Sequence, residues 1–143
     1  MPKSVKIAGV DEVGRGSLVG PVFSAAVILN KNISSKNIKD SKKIPFKKRI
    51  LISKYIKKNS VYAIGSASVK EIEKMNILNA SLLSMKRALK KLKIKPSIAY
   101  IDGSFVPKNT KVKCKAFIKG DERVKSIAAA SIIAKVKRDF FMI

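Results

Sequence analysis

The chain predicts a mixed α/β domain, and two observations predict it. Short apolar strand-like runs are interleaved with amphipathic helical stretches in the order strand, strand, helix, strand, helix, strand, strand, helix. The 143 residues are 46% apolar with no internal repeat, linker or composition break, which suits one core in one domain over residues 1–143. Val5 to Val10 predicts the first strand and Val22 to Leu29 the second, with Gly14-Arg15-Gly16-Ser17 as a tight loop between them. Asn30 to Asp40 is polar and loop-like. Pro45 to Lys58 predicts an amphipathic helix with Phe46, Ile50 and Leu51 on one side and lysines on the other. Val61 to Ser68 predicts a third strand. Ser68 and Glu71 stand at capping-box spacing, and behind them Ile72, Met75, Leu78, Leu82, Met85, Leu89 and Leu92 recur every three or four residues. That pattern predicts one long helix, ended before Pro96. Ile98 to Ile101 and Val112 to Ile118 predict two more strands, and the Ala- and Ile-rich run from Val124 to about Phe140 a last helix.

Composition narrows the function classes. With 32 Lys+Arg against 9 Asp+Glu the net charge is +23, a field that attracts polyanions, nucleic acid above all. Twenty-seven of the cations are lysine, spread along the whole chain, so part of the excess is what AT-rich coding would also produce. The apolar stretch Leu18 to Leu29 is interrupted by Gly20, Pro21 and Ser24 and is too short to span a bilayer. The apolar run from Ile7 is broken at once by Asp11 and Glu12, unlike a signal peptide. One cysteine, Cys114, leaves no internal disulfide, so a cytoplasmic protein is expected and a secreted or membrane-spanning one is not.

The nine acids are few enough to weigh singly. Glu71 and Glu73 fall in a helix first turn, Asp40 precedes a helical segment, Asp139 lies where a salt bridge accounts for it, and Glu122 is expected to face solvent. Asp11, Glu12, Asp102 and Asp121 are harder to explain by structure. Asp11 and Asp102 each follow an apolar strand and precede glycine, and strand C-terminal ends are where sites form in open α/β sheets. If the two strands are neighbours, the aspartates repel and need a positive partner, either lysine or a divalent ion with hard oxygen ligands. Surface aspartates that merely start loops would look the same. The chain has no histidine, which argues against zinc and against a histidine base. Carboxylates inside a cationic protein suggest metal-dependent phosphoryl transfer, without separating DNA from RNA or a nuclease from a recombinase core.

The motifs themselves resemble a known family. Gly9-Val10-Asp11-Glu12-Val13-Gly14-Arg15-Gly16, continuing into Gly20-Pro21-Val22, is similar to the opening signature of type 2 ribonuclease H, specifically bacterial ribonuclease HII. Asp40-Ser41-Lys42-Lys43, the helix entry from Lys70 to Leu78, Tyr100-Ile101-Asp102-Gly103, Lys119-Gly120-Asp121, and Ser126 to Val136 through Arg138-Asp139 resemble later family blocks in the same order. The resemblance implies an RNase H-like fold, a mixed β-sheet flanked by helices. It implies an endonuclease that hydrolyses the RNA strand of RNA–DNA hybrids and cuts 5′ of ribonucleotides embedded in duplex DNA, leaving 5′-phosphate and 3′-hydroxyl ends. Asp11, Glu12, Asp102 and Asp121 match the family's catalytic, metal-coordinating carboxylates, with two Mg²⁺ or Mn²⁺ ions expected. Gly14, Arg15 and Gly16 match the loop that senses the ribose 2′-OH, which is what tells RNA from DNA. Ser41, Lys42 and Lys43 are candidates for phosphate contact, with helix capping as the alternative. Ser126 to Ala134 reads as close helix packing. A monomer acting in replication and ribonucleotide repair is implied. The family continues beyond its last Arg-Asp into a region carrying a tyrosine that packs on the RNA–DNA junction, whereas this sequence ends at Ile143, and Tyr55, Tyr62 and Tyr100 lie in other blocks. The expectation is therefore a catalytic domain lacking that extension, with a chain that binds hybrid without cutting it as the alternative. A basic ribonucleoprotein component would have no use for four carboxylates at those positions.

Overall fold

The computed structural model of the chain describes residues 6–14, 20–31, 33, 38 and 44–141. Strands β1 (Ile7–Val13), β2 (Val22–Leu29) and β3 (Ser60–Ala67) form an antiparallel meander, and β4 (Ile98–Asp102) and β5 (Lys113–Phe117) extend it in parallel. The spatial order is β3-β2-β1-β4-β5. Helices α1 (Phe46–Lys58), α2 (Val69–Met75), α3 (Ile77–Lys91), α4 (Gly120–Arg123) and α5 (Lys125–Phe141) flank this sheet. The expected mixed sheet between helices is present.

Both faces of the central strands are buried, which is why β2 is apolar along almost its whole length instead of alternating. On one face Ala8, Val10, Ala26, Ile28, Ala99 and Ile101 meet Met85, Ala88 and Leu89 of α3. On the other, Ala25 and Val27 meet the alanines and isoleucines of α5, and Ile52 and Ile56 of α1 pack onto the same cluster. The run Ser126 to Ala134 is wholly buried, the close helix packing its small residues suggested. Closest of all is Gly9, where an added Cβ would lie 2.1 Å from the Ser126 carbonyl carbon. Strand β1 and the start of α5 therefore touch backbone to backbone, which only glycine permits.

Two expectations need correction. The single long helix after Ser68 is two helices, because Asn76 sits at φ 75° between them. Asparagine tolerates that left-handed region better than other side chains. Its N–H closes α2 on the Ile72 carbonyl, and its side chain accepts the Asn79 N–H to open α3. The apolar periodicity runs straight through the break and conceals it. In α1 the inward side is Ile52, Ser53 and Ile56, while Leu51 is 65% exposed and Phe46 is also exposed. The salt bridge expected at Asp139 forms with Arg49 at 2.9 Å and ties α5 to α1.

The capping box is present, with Ser68 Oγ accepting the Glu71 N–H at 3.1 Å and Glu71 Oε1 accepting the Ser68 N–H at 3.0 Å. Arg87 of α3 also grips both Glu71 oxygens, at 2.7 and 2.6 Å. Those guanidinium hydrogen bonds, helped by the Ser68 backbone, lower the Glu71 carboxyl to about 2. Its folded value lies below its unfolded one, so its contribution to stability is present above the ordinary glutamate range and disappears as pH falls toward 2. Glu71→Gln is expected to flatten the acid limb of a stability–pH curve over that window; an unchanged limb would show that the pair contributes nothing. Gly9→Ala is expected to cost at least about 3 kcal/mol, the top of the usual overpacking range, and to lower the melting midpoint by on the order of 10 °C. A thermal scan with the parental midpoint would refute the backbone contact.

Candidate active site at the ends of β1 and β4

Parallel pairing sets Ile7 beside Ile98 and Val10 beside Ile101. One residue further, Asp11 and Asp102 come side by side. Paired residues of parallel strands share a face, and Val10 and Ile101 belong to the α3-side core, so both aspartates lie on the α5 side. The strand end is not where the hydropathy placed it. β1 runs on to Val13, because β2 continues to pair it through Asp11 with Ala25, Glu12 with Ser24 and Val13 with Phe23. Asp11 is thus held in a strand whose other neighbour has just ended, since Asp102 is the last residue of β4.

The two carboxyls are held differently. Asp11 is 5% exposed and its Oδ1 accepts the Glu12 N–H at 2.8 Å. Burial first, and the neighbouring Asp102 carboxylate second, push the Asp11 carboxyl well above the usual range, against the pull of the Glu12 N–H. Asp102 is half-buried, and its Oδ1 accepts the Gly120 N–H at 2.6 Å. Gly103 in turn donates to the Phe117 carbonyl at 3.0 Å, so the end of β4, the end of β5 and the start of α4 are tied together. Asp121 follows Gly120 in the single turn of α4. Glu12, one residue from Asp11, is half-buried, and its charge adds a smaller push to the raised Asp11 carboxyl. Its long side chain thus acts on the same site although its backbone position alternates toward the α3 face. Among the described residues no three His, Cys, Asp or Glu side chains gather closely enough to form a metal cluster by themselves.

Gly14 has φ 120°, and a Cβ there would meet the Pro21 carbonyl oxygen at 3.0 Å, so the turn out of β1 requires glycine. Arg15, Gly16, Asp40, Ser41, Lys42 and Lys43 lie outside the described residues. Glu73 and Glu122 are exposed, as their helix positions suggested. Gly120 is the residue that the sequence reading passed over. Its signal is present in Lys119-Gly120-Asp121, in a backbone N–H that residue type alone does not mark.

The family profile described as Ribonuclease HII matches residues 8–143. Ribonuclease HII of Pelagibacter ubique (strain HTCC1062) is 62% identical over 136 residues, which are 95% of this chain and 73% of that protein. The crystal structure of ribonuclease H2 from Pyrococcus horikoshii OT3 aligns with a TM-score of 0.82 at 28% identity, covering 96% of this chain and 74% of that one. Bst-RNase HIII, in its crystal structure in complex with Mn²⁺, shares the fold, with a TM-score of 0.77 at 23% identity over 94% of this chain and 52% of that one. With the matching profile spanning the paired strand ends and the helix packed on them, the chain belongs to the ribonuclease HII family, endonucleases that act on RNA–DNA hybrids.

Proposed function

We propose that this chain hydrolyses the RNA strand of RNA–DNA hybrids and cuts 5′ of single ribonucleotides in duplex DNA, with Asp11, Glu12, Asp102 and Asp121 as its catalytic, metal-holding carboxylates. The observation that carries the reading is the Asp11–Asp102 pair, two acids from parallel strands set side by side in a chain of net charge +23. An all-oxygen donor set without histidine fits a hard divalent ion, and Asp11, protonation-prone beside a second carboxylate, has the environment such an ion relieves. Mg²⁺ or Mn²⁺, two ions in the full site, would supply an activated water and stabilisation of the leaving 3′ oxygen. The protein's own part is positional. The Gly120 N–H fixes the orientation of Asp102, the β2 pairing fixes Asp11, and the turn at Gly14 leads into Arg15 and Gly16, which in this reading face the ribose 2′-OH. Ser41, Lys42 and Lys43 would hold phosphate. The role is removal of misincorporated ribonucleotides and RNA primers, by a monomer in the cytoplasm, where the lone thiol of Cys114 stays reduced. Among the described residues no helix is long and apolar enough to cross a membrane.

A second reading has one observation behind it. Because no three acids converge among the described residues, a chain that binds hybrid without cutting it stays in play. Incubating the chain with a duplex carrying one ribonucleotide, in Mg²⁺, in Mn²⁺ and in chelator, decides between them. Metal-dependent cutting 5′ of the ribonucleotide is expected, and retention without product by the folded chain would establish the second reading. Asp11→Asn and Asp102→Asn are each expected to lower cleavage by at least about 10³-fold, the several kcal/mol of charge stabilisation a bound ion provides. Parental rates in either variant would remove these residues from the site.

Stability gives an independent check. An acid whose folded value is raised favours the folded state less and less as pH climbs from the unfolded value, about 3.9, through the raised one. Without metal at pH 7.5, Asp11→Asn is therefore expected to be at least as stable as the parent, while added Mg²⁺ or Mn²⁺ stabilises the parent alone. Equal stabilisation of both by the ion, read from melting midpoints, would count against Asp11 as a ligand.

A further inference from the structure

Strand β5 is an edge of the sheet; α5 packs on the β1–β2 side, so the α5-side face of β5 is exposed at Lys113 and Lys115, while α4 lies against its Phe117 end. Lys113, Lys115 and Phe117 alternate onto that face, beside Ile98, Tyr100 and Asp102 of β4. It is the face on which Asp11 and Asp102 meet. Both lysines are exposed, and among the described residues neither pairs with a carboxylate. From Gly103 to Gly120 the chain has five lysines and no acid. Toward the aspartates, the Tyr100 and Phe117 rings pack with centroids 4.7 Å apart. The Lys115 ammonium and the Arg123 guanidinium each stand 5.4 Å from the Phe117 centroid. Each such cation–ring contact is worth only about 0.5–1 kcal/mol at an exposed site, and the two cations repel each other. A phosphate drawn to either cation would offset that repulsion.

We propose that Lys113, Lys115, Arg123 and the Tyr100–Phe117 pair form a track for the phosphate backbone of the nucleic-acid strand that leads into the Asp11–Asp102 site. The track rests on the reading of that pair as the reaction centre. Alternate residues of a strand lie about 6.6 Å apart, so two long lysine side chains on one face can follow successive phosphates of one strand. The aromatic pair at the inner end offers a flat surface beside cations, the combination that holds nucleic-acid strands elsewhere. Lysines on an edge strand also deter edge-to-edge pairing. That role would not call for a second cation on Phe117 or for the face shared with the carboxylates.

The test compares the full chain with Lys113→Gln/Lys115→Gln and with a control of equal charge change, Lys90→Gln/Lys91→Gln at the end of α3 on the other side of the sheet. Binding of a labelled RNA–DNA hybrid is measured in chelator across a salt series. Loss of two phosphate contacts is expected to reduce the slope of log affinity against log salt by about 1.8, so that between about 50 and 200 mM salt the parent weakens about tenfold more than the β5 variant. The control should follow the parent. A parental slope in the β5 variant overturns the proposal, whether or not that variant self-associates, and so does an equal loss in the control. Cleavage in Mg²⁺ is followed on the same proteins. A parent that binds but does not cut refutes the catalytic reading, while the salt slopes still judge the track.

Discussion

Everything at the candidate site depends on β1 and β4 running side by side in the same direction. Antiparallel neighbours place their C-terminal ends at opposite edges of a sheet, as β1 and β2 do here. Parallel neighbours place them together, so an acid at the end of each is forced into contact with the other. The contact is unfavourable by itself, and the fold sustains it through its apolar layers. Ala8, Val10, Ala99 and Ile101 lock the two strands against α3 one residue before the acids appear. On the other face Gly9 admits the start of α5 to backbone distance, two residues from Asp11 on the side Asp11 faces. The absence of a side chain at Gly9 and the burial of Asp11 are thus two consequences of one close approach.

The pair is also unequal. Asp11 is enclosed and made harder to ionise, whereas Asp102 sits at a strand terminus with a backbone N–H aimed at it. That N–H belongs to a helix of a single turn whose first partner, Lys119, is held in the left-handed region at φ 54°. A lysine there costs on the order of 1 kcal/mol relative to glycine, a strain borne where the chain must turn sharply from β5 toward the site. The link from Gly103 to Phe117 closes the same corner from the other side. Asp102, the end of β5 and the start of α4 are therefore joined by hydrogen bonds from backbone N–H groups at one corner of the sheet.

Much of this was legible in the residues, and the failures have physical causes. The strands, the capping box and the buried Ala-rich helix follow from local periodicity and hydropathy, and each is found. The break at Asn76 was hidden because the apolar spacing continues across it. The inward face of α1 was misassigned because a lysine-rich helix leaves several apolar residues at the surface, Leu51 among them. Asp11 and Asp102 could be singled out as strand-end acids, but nothing local says which strands are neighbours. That pairing depends on a crossover from β3 past β2 and β1 to β4, and only motif resemblance stood in for it in advance. Gly120 was missed for the same reason: its function lies in a backbone group and in a partner 18 residues away.

The large positive charge then acquires a structural meaning that composition alone could not supply. Of the described acids, Glu71 and Asp139 are each taken up by an arginine that joins two helices, Arg87 and Arg49. These pairs use arginine, whose fork grips two oxygens or bridges to a carbonyl, as Arg49 also does at Ile44. The lysines are left largely for the surface, where a compact charge on a flexible stem suits a mobile polyanion better than a fixed carboxylate. A cationic exterior on which Glu71 and Asp139 are locked by arginine, Asp11 and Asp102 are withdrawn to the β1–β4 corner, and the exposed Glu73 and Glu122 are far outnumbered by lysines presents a phosphate backbone with little repulsion until it reaches Asp11 and Asp102. In the proposed reading, repulsion there is what a divalent ion would remove, so a charge arrangement suited to gathering a polyanion would also make its close approach to the carboxylates conditional on metal.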